Sequence, residues 1–222
     1  MDADTTRRKD SHKKLLSAFR KREAQILLGT QMVTKGLDFE NVTLVGVLSA
    51  DSSLYISDYR ANERTFSLIT QVIGRSGRGD KPGRAVIQTF TPEHKVISLA
   101  SKQDYDGFYE SEIALRKVLG SPPVRDLIAL MVIGANENKV ICSCAKLMSS
   151  LKNYFRGMSD IRLLGPAPAT VPKVSNKYRY RLLVNCINNK KVRETIAHVM
   201  KEFAKDSASG GVTVIADVDM YE

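Results

Sequence analysis

Only three of the 222 residues are cysteine, and their placement excludes most of what cysteine does. Cys142 and Cys144 lie two apart in a stretch of helical periodicity, so their side chains do not face one another. Cys186 closes an apolar run. Neither a disulfide framework nor a structural zinc site uses such spacing, and all three read as buried free thiols. The three histidines, His12, His94 and His198, are scattered and form no cluster, so no metal site is expected. Apolar runs fall far short of the roughly 20 residues that cross a bilayer. No signal peptide is evident, and a cytoplasmic protein without a membrane partner is expected. Also missing is any Gly-x-x-x-x-Gly-Lys-Ser/Thr, the loop whose backbone cradles phosphates. No Asp-Glu-x-His box occurs either, so no residue here is placed to hold Mg²⁺.

Positive charge is abundant. Thirty-four Lys and Arg against 24 Asp and Glu leave a net +10, which favours a polyanionic partner such as nucleic acid. A hydrophobic content of 43% is enough for packed cores, and the length suits one large or two small domains.

The densest chemistry lies at Gln71-Val72-Ile73-Gly74-Arg75-Ser76-Gly77-Arg78. It follows an amphipathic stretch, Tyr59 to Ile73, with Phe66, Ile69 and Ile73 on one face. Two arginines three apart leave a helix end in nearly the same direction. Guanidinium is planar, permanently charged and matched to phosphate oxygens. Paired arginines therefore suit the charge that develops on a transferred phosphoryl group. Gly74 and Gly77 allow backbone and ligand to approach closely. The plain alternative is a basic turn on a solvated face.

A second motif, Gly29-Thr30-Gln31-Met32-Val33-Thr34-Lys35-Gly36-Leu37-Asp38, sits between the apolar runs Ile26-Leu27-Leu28 and Val42 to Leu48. Short apolar runs bounded by turn residues suit buried parallel strands, and loops at the carboxyl ends of such strands bind ligands. Thr30 and Thr34 offer hydroxyls to phosphates, and Gly36 permits a tight turn. Asp38 can accept from a ribose hydroxyl or orient an arginine.

In this order and spacing the two motifs resemble motifs V and VI of superfamily 2 helicases. Leu44-Val45-Gly46-Val47-Leu48-Ser49-Ala50-Asp51 and Asp58-Tyr59-Arg60-Ala61-Asn62-Glu63-Arg64 resemble the primosomal replication-restart helicases, the PriA family. So do Leu164-Gly165-Pro166-Ala167-Pro168-Ala169 and the ending Asp217-Val218-Asp219. The resemblance covers nearly the whole chain. It implies the carboxyl-terminal part of an ATP-dependent bacterial DNA helicase that restarts stalled forks and starts primosome assembly. In that family the phosphate loop, the Mg²⁺ box and a zinc-binding cysteine region all precede the part seen here. ATP and Mg²⁺ are thus expected mainly on a first lobe outside this chain, and the chain alone is expected to lack ATPase activity. Arg75 and Arg78 take the catalytic role, completing the ATP site. Gly36, Asp38 and Gln71 are the ATP-binding residues that couple nucleotide state to lobe closure, and Thr30, Gln31 and Lys35 touch the translocated strand.

Residues 1 to 104 alternate strand and helix, as in the later part of a RecA-like helicase lobe. A basic helix covers about Asp10 to Arg22, and a strand Ala85 to Phe90. Thr91 caps another helix with Pro92 at its first position. The sheet reads as incomplete or as completed by another chain. Tyr105 to Leu119 is a helix broken by Gly120-Ser121-Pro122-Pro123, and residues 105–123 form a helical linker. Residues 124–222 read as a small α+β domain of order βαββαβ, a split βαβ sandwich similar to ribosomal protein S10.

Within that domain a proline-stiffened loop from Pro166 leads to Lys173, Lys177 and the strand Tyr178-Arg179-Tyr180-Arg181. Alternation puts Arg179 and Arg181 on one face and the tyrosines on the other. Basic and aromatic residues so interleaved suit backbone phosphates and base stacking, which marks Lys173, Lys177, Arg179 and Arg181 as nucleic-acid-binding candidates. An ordinary strand with a solvated basic face reads equally well. Asn188 or Asn189 caps a helix from Lys190 to about Lys205. Lys190, Lys191 and Arg193 load its start with cations, against the helix dipole, which suits a bound anion; ordinary surface lysines that need no ligand are the stronger plain reading. The family associates with single-stranded DNA-binding protein, whose tail is acidic, and with other primosome proteins. The resemblance therefore implies that tail as the anion. A stand-alone nucleic-acid- or protein-binding module without motor function is the alternative for the chain by itself. A ribosomal-type RNA-binding protein, suggested by the terminal domain, is opposed by the helicase motifs.

Overall fold

A strand needs a neighbour for its backbone groups, and a helix needs something to cover its apolar stripe. Those two requirements organise this computed structural model, which describes residues 11–30, 39, 42–56, 58–75 and 83–218. The chain divides into two units between Glu112 and Ile113.

In the first unit α1, Ser11–Arg20, is followed by β1, Leu44–Val47, and a short 3₁₀ turn, Ala50–Ser53. Next come α2, Ala61–Ile73, β2, Arg84–Ile87, and α3, Lys95–Ser101. The first half of α4, Tyr105–Leu119, ends the unit. β1 and β2 pair in parallel, Leu44 opposite Arg84 through Val47 opposite Ile87, with α2 as the crossover. Val47, Ala50 and Leu54 pack with Phe66 and Ile69 of α2 and with Val96, Ile97 and Ala100 of α3. Phe108 of α4 closes the cluster by stacking on Phe66, ring centroids 4.2 Å apart.

Two expectations are corrected here. Ile26-Leu27-Leu28 is not a strand: Ile26 is 84% exposed and Leu28 69%. Among the described residues the sheet of this unit consists of β1 and β2, and neither pairs with that run. Nor does Thr91 cap a helix. Residues Thr91 to His94 form a turn closed by His94 N–H donating to the Thr91 carbonyl at 2.9 Å. His94 caps α3 instead, its Nδ1 accepting from Val96 N–H at 3.3 Å. Thr91 is drawn away because its hydroxyl donates to Asp51 at 2.8 Å.

The second unit continues α4 into β3, Asp126–Gly134, α5, Glu137–Tyr154, and β4, Arg162–Val174. β5, Lys177–Cys186, α6, Lys190–Lys205, and β6, Val212–Val218, complete it. The four strands form an antiparallel sheet in the order β4-β5-β3-β6. Strand alternation sends Ile128, Leu130 and Val132 of β3 and Leu182, Val184 and Cys186 of β5 to one face. Val140, Cys144, Leu147 and Leu151 of α5 and Val192, Ile196, Val199 and Phe203 of α6 cover that face. The element order is the expected βαββαβ.

The proline-stiffened loop is corrected as well, because Pro166 through Val174 belongs to β4. Proline is tolerated there because, among the described residues, β4 is an edge strand that pairs with β5 alone. Register shifts between Leu164 and Ala167 and between Pro168 and Lys173 absorb the missing donors. Ser175 and Asn176, at φ 48° and 61°, make the two-residue turn that twists β4 back into β5.

Buried Asn185 ties the start of this unit to β5. Its amide donates to the Gly120 carbonyl at 2.6 Å, and its carbonyl accepts from Arg125 Nε at 2.7 Å.

Candidate nucleotide and nucleic-acid sites

The arginine motif stands at the end of α2, and the helix is fixed at both ends. At its start Asp58 accepts from Arg60 N–H at 2.9 Å and pairs with Arg64 at 2.9 Å. Thr65, fully buried, returns its hydroxyl to the Ala61 carbonyl at 2.8 Å. Asn62 donates to Glu112 of α4 at 3.0 Å, beside the Phe66–Phe108 stack. At its end Gly74 N–H donates to the Thr70 carbonyl and Arg75 N–H to the Val72 carbonyl, both at 3.0 Å. Gly74 has φ −64°, an ordinary helical value, so the glycine serves access and not a left-handed turn.

Gln71 and Arg75 therefore sit one turn apart on a rigid helix end. Gln71 is exposed and donates to Ser67 Oγ at 2.9 Å; Arg75 is half-buried. A guanidinium and a solvent-facing amide one turn apart can offer charge and hydrogen bonds to a phosphate placed against that end. Thr30 is exposed in a bend. Arg78, Gly36, Asp38, Gln31 and Lys35 lie outside the described residues.

In the second unit Lys173 and Lys177 are exposed on either side of the β4–β5 turn. Arg179 and Arg181 are half-buried on the sheet face away from the helices. The tyrosines go the other way. Tyr180 packs against the core and donates to Glu137 at 2.9 Å, which raises its phenol pKa above the ordinary value. Tyr178 also packs there, with Lys173 Nζ 4.5 Å from its ring centroid. Charge is thus available at this strand, while the aromatic half of the pattern is spent on packing.

At the start of α6 the cap is Asn189, whose side chain accepts from Val192 N–H at 3.0 Å. Asn188 instead donates its N–H to Asp126 and accepts from Arg193 at 3.0 Å. Lys190 lies 3.8 Å from Glu194, an exposed pair worth little, and Lys191 is exposed. The three cations remain at a helix start with no acidic residue in its first turn.

Among the described residues no group of His, Cys, Asp or Glu is arranged to hold a metal ion. All three cysteines are free thiols; Cys144 and Cys186 are buried as expected, whereas Cys142 is exposed. Burial pushes the Cys144 thiol up to about 11. No helix among the described residues is long and apolar enough to cross a membrane.

Sequence reading missed a polar clamp in the first unit. Asp51 is buried and accepts from Thr89 Oγ1 at 2.8 Å, Phe90 N–H at 2.9 Å and Thr91 Oγ1 at 2.8 Å. The Phe90 amide, more than the hydroxyls, holds its pKa down at about 2. Its partners lie 38 to 40 residues away, beyond any local pattern.

Comparison with known proteins places these features. Residues 2–80 match the helicase conserved C-terminal domain, and residues 117–221 match the primosomal protein N C-terminal domain. The replication restart protein PriA of Bacillus subtilis is 40% identical across 100% of this chain and 27% of its own length. The chain belongs to the PriA family. The PriA of Synechocystis is 46% identical over 82% of this chain and 22% of its own length. The PriA of Chlamydia trachomatis is 39% identical over 99% and 28%. The chain spans about a quarter of the length of these three PriA relatives. The fold agrees with the family: a helicase C-terminal domain carrying the arginine helix, then the PriA C-terminal domain built on the four-stranded sheet.

Proposed function

We propose that the chain works as the C-terminal part of a longer ATP-dependent DNA helicase that restarts stalled replication forks in the bacterial cytoplasm. One observation carries this reading. The helix inside the helicase-domain match ends on Gln71, Gly74 and Arg75, and is braced at its start by Asp58, Arg64, Asn62 and Glu112. A guanidinium carried just past the end of a braced helix supplies positive charge there, which phosphoryl transfer requires.

In this reading Arg75 and Arg78 supply positive charge to the transferring phosphoryl group. Gln71, Gly36 and Asp38 sense the nucleotide, and Thr30, Gln31 and Lys35 contact the strand being moved. ATP and Mg²⁺ are held mainly by a first motor lobe, and zinc by a cysteine-rich region, neither of which is part of this chain. Of the nucleotide residues, Gln71 and Arg75 are described, and both fit a phosphate: one amide and one guanidinium on the same helix end. Mg²⁺ supplies charge neutralisation between phosphate oxygens when bound. In the C-terminal domain Lys173, Lys177, Arg179 and Arg181 contact DNA phosphates, as the charge on that strand supports. Lys190, Lys191 and Arg193 take the acidic tail of single-stranded DNA-binding protein, as a cationic helix start supports. Other primosome proteins complete the partners.

The test is DNA-stimulated ATP turnover, measured in the full-length protein and in this chain. Arg78→Ala in the full-length protein is expected to lower turnover at least ~10³-fold, and Arg75→Ala by a similar or smaller factor. ATP binding should persist in both. The 222-residue chain alone should show no turnover above background. Near wild-type turnover in Arg78→Ala, or robust hydrolysis by the purified chain, overturns the assignment.

A further inference from the structure

Phe90 is the most exposed large apolar side chain among the described residues, at 89%, and it sits on one of the most tightly held loops. Three groups converge on Asp51 from the segment Thr89–Thr91: two hydroxyls and the Phe90 amide itself. Thr91 N–H also donates to Thr89 Oγ1 at 3.0 Å. The strand ladder continues into the loop, with Gln88 N–H donating to Val47 O at 2.9 Å and Ala50 N–H to Gln88 O at 3.0 Å. A buried carboxylate with three donors on one side fixes a backbone closely. Here it fixes the backbone of a residue whose ring then contacts almost nothing.

The placement is informative. The loop leaves the carboxyl end of β2, and Asp51 lies just past the carboxyl end of parallel β1. That edge of an open parallel sheet is where ligands bind. Tyr55, also exposed, belongs to the segment that follows the Asp51 turn. A flat ring on a rigid mount offers a nucleobase a face to stack on, in a chain whose net charge of +10 favours a polyanion.

We propose that Phe90, held by the Asp51 clamp, is a stacking platform for a base of single-stranded DNA. The proposal rests on reading the chain as part of a DNA motor and adds a contact site that lies outside both arginine and strand-contact motifs. Stacking is tolerant of sequence, because every base has a π-face, so such a platform serves a strand that moves past it. Asp51 is then a positioning residue: it touches no DNA and holds the ring where a base arrives.

The chain contains no tryptophan, so Phe90→Trp introduces a single indole that reports stacking by loss of fluorescence. The ring is in solvent, and the substitution leaves the core untouched. The probe is an oligodeoxythymidine carrying a dye for anisotropy, titrated at low salt into the 222-residue chain, where the indole is read as well, and into the full-length protein, where anisotropy alone is read. The expected result is saturable quenching of the indole that follows the anisotropy isotherm. Phe90→Ala should weaken binding about 10-fold, within the range for removing one stacking aromatic, while Phe90→Tyr retains affinity. Asp51→Asn should reduce the depth of quenching. If the oligonucleotide binds while the indole emission stays constant, DNA contacts the protein elsewhere; the platform is then wrong and the DNA-motor reading stands. Quenching in the 222-residue chain with unchanged affinity on Phe90→Ala in the full-length protein identifies Phe90 as a packing contact with another domain, and also overturns the proposal. Absence of binding to both proteins removes the platform and the DNA reading together.

Discussion

The two units solve the same problem, covering a sheet, to very different extents. In the second unit two long helices lie across one face of a four-stranded sheet, and the residues between them are sealed from water. In the first unit the described sheet has two strands. One face meets α2, but the other presents Leu44, 62% exposed, and Val86, with room beside Gly46 that a Cβ would not fill. An isolated pair of strands is marginal in water. Among the described residues the first unit is held together by helix packing around Ile69 and Phe66, and the second by a closed sheet-and-helix core. The closed unit can tolerate a bulged, proline-rich edge strand. The open unit cannot waste a contact, and two of its buried polar groups, Asp51 and Glu112, hold elements together across 38 to 50 residues of sequence.

The sharpest test of this contrast is cavity formation in the closed core. Leu147→Ala should cost about 2–5 kcal/mol in urea unfolding followed by circular dichroism, because the surrounding side chains cannot collapse into the gap. Leu44→Ala on the bare face should stay within about 0.5 kcal/mol. A large loss at Leu44 shows that its face is covered, and the contrast between the units fails.

Next in size is Asn185→Leu. It strands the Gly120 carbonyl and Arg125, and should cost about 1–3 kcal/mol. Smaller still is Asn189→Ala, which removes the α6 cap and should cost about 1 kcal/mol. Both read on the second unit alone, so neither should shift protease sensitivity of the first.

The Asp51 clamp sharpens the comparison through pH. Its carboxyl sits at about 2 in the folded protein, below the ordinary value of about 3.9. Its contribution is then complete above about pH 4, shrinks as pH falls, and is lost on passing through about 2. Asp51→Asn should flatten the acid limb of the first unit's stability and leave the second unit's limb unchanged. Equal acid profiles for the two proteins rule the clamp out as a stabiliser.

The elements that could be read from sequence are those with long, uninterrupted periodicity. α5, α6 and β3 repeat apolar residues over 9 to 18 positions, and the packed faces are the ones alternation or helical spacing indicates. The arginine helix was legible for the same reason. β4 was hidden because its prolines signal a loop, and only its edge position makes them compatible with a strand. Ile26–Leu28 carried the apolar signal of a strand, yet its residues are exposed and it joins neither β1 nor β2. Of the candidate site, Gln71 and Arg75 fall on one helix end as their spacing requires. The Asp51 clamp and the Asn62–Glu112 bond were illegible, since each joins groups tens of residues apart by chemistry that any Asp, Thr, Asn or Glu offers.

The Phe66–Phe108 stack has a practical consequence for dissecting the protein. Phe108 stands in α4, after the break in structure at Lys102–Asp104 where a scissile boundary would naturally be drawn, yet it is a core residue of the unit before that break. A recombinant fragment ended at residue 104 loses the ring that covers Phe66 and the carboxylate that holds Asn62. It should express as an aggregating species, and one extended through Glu112 should not. The smallest separable N-terminal piece thus carries half of a helix whose other half opens the next domain.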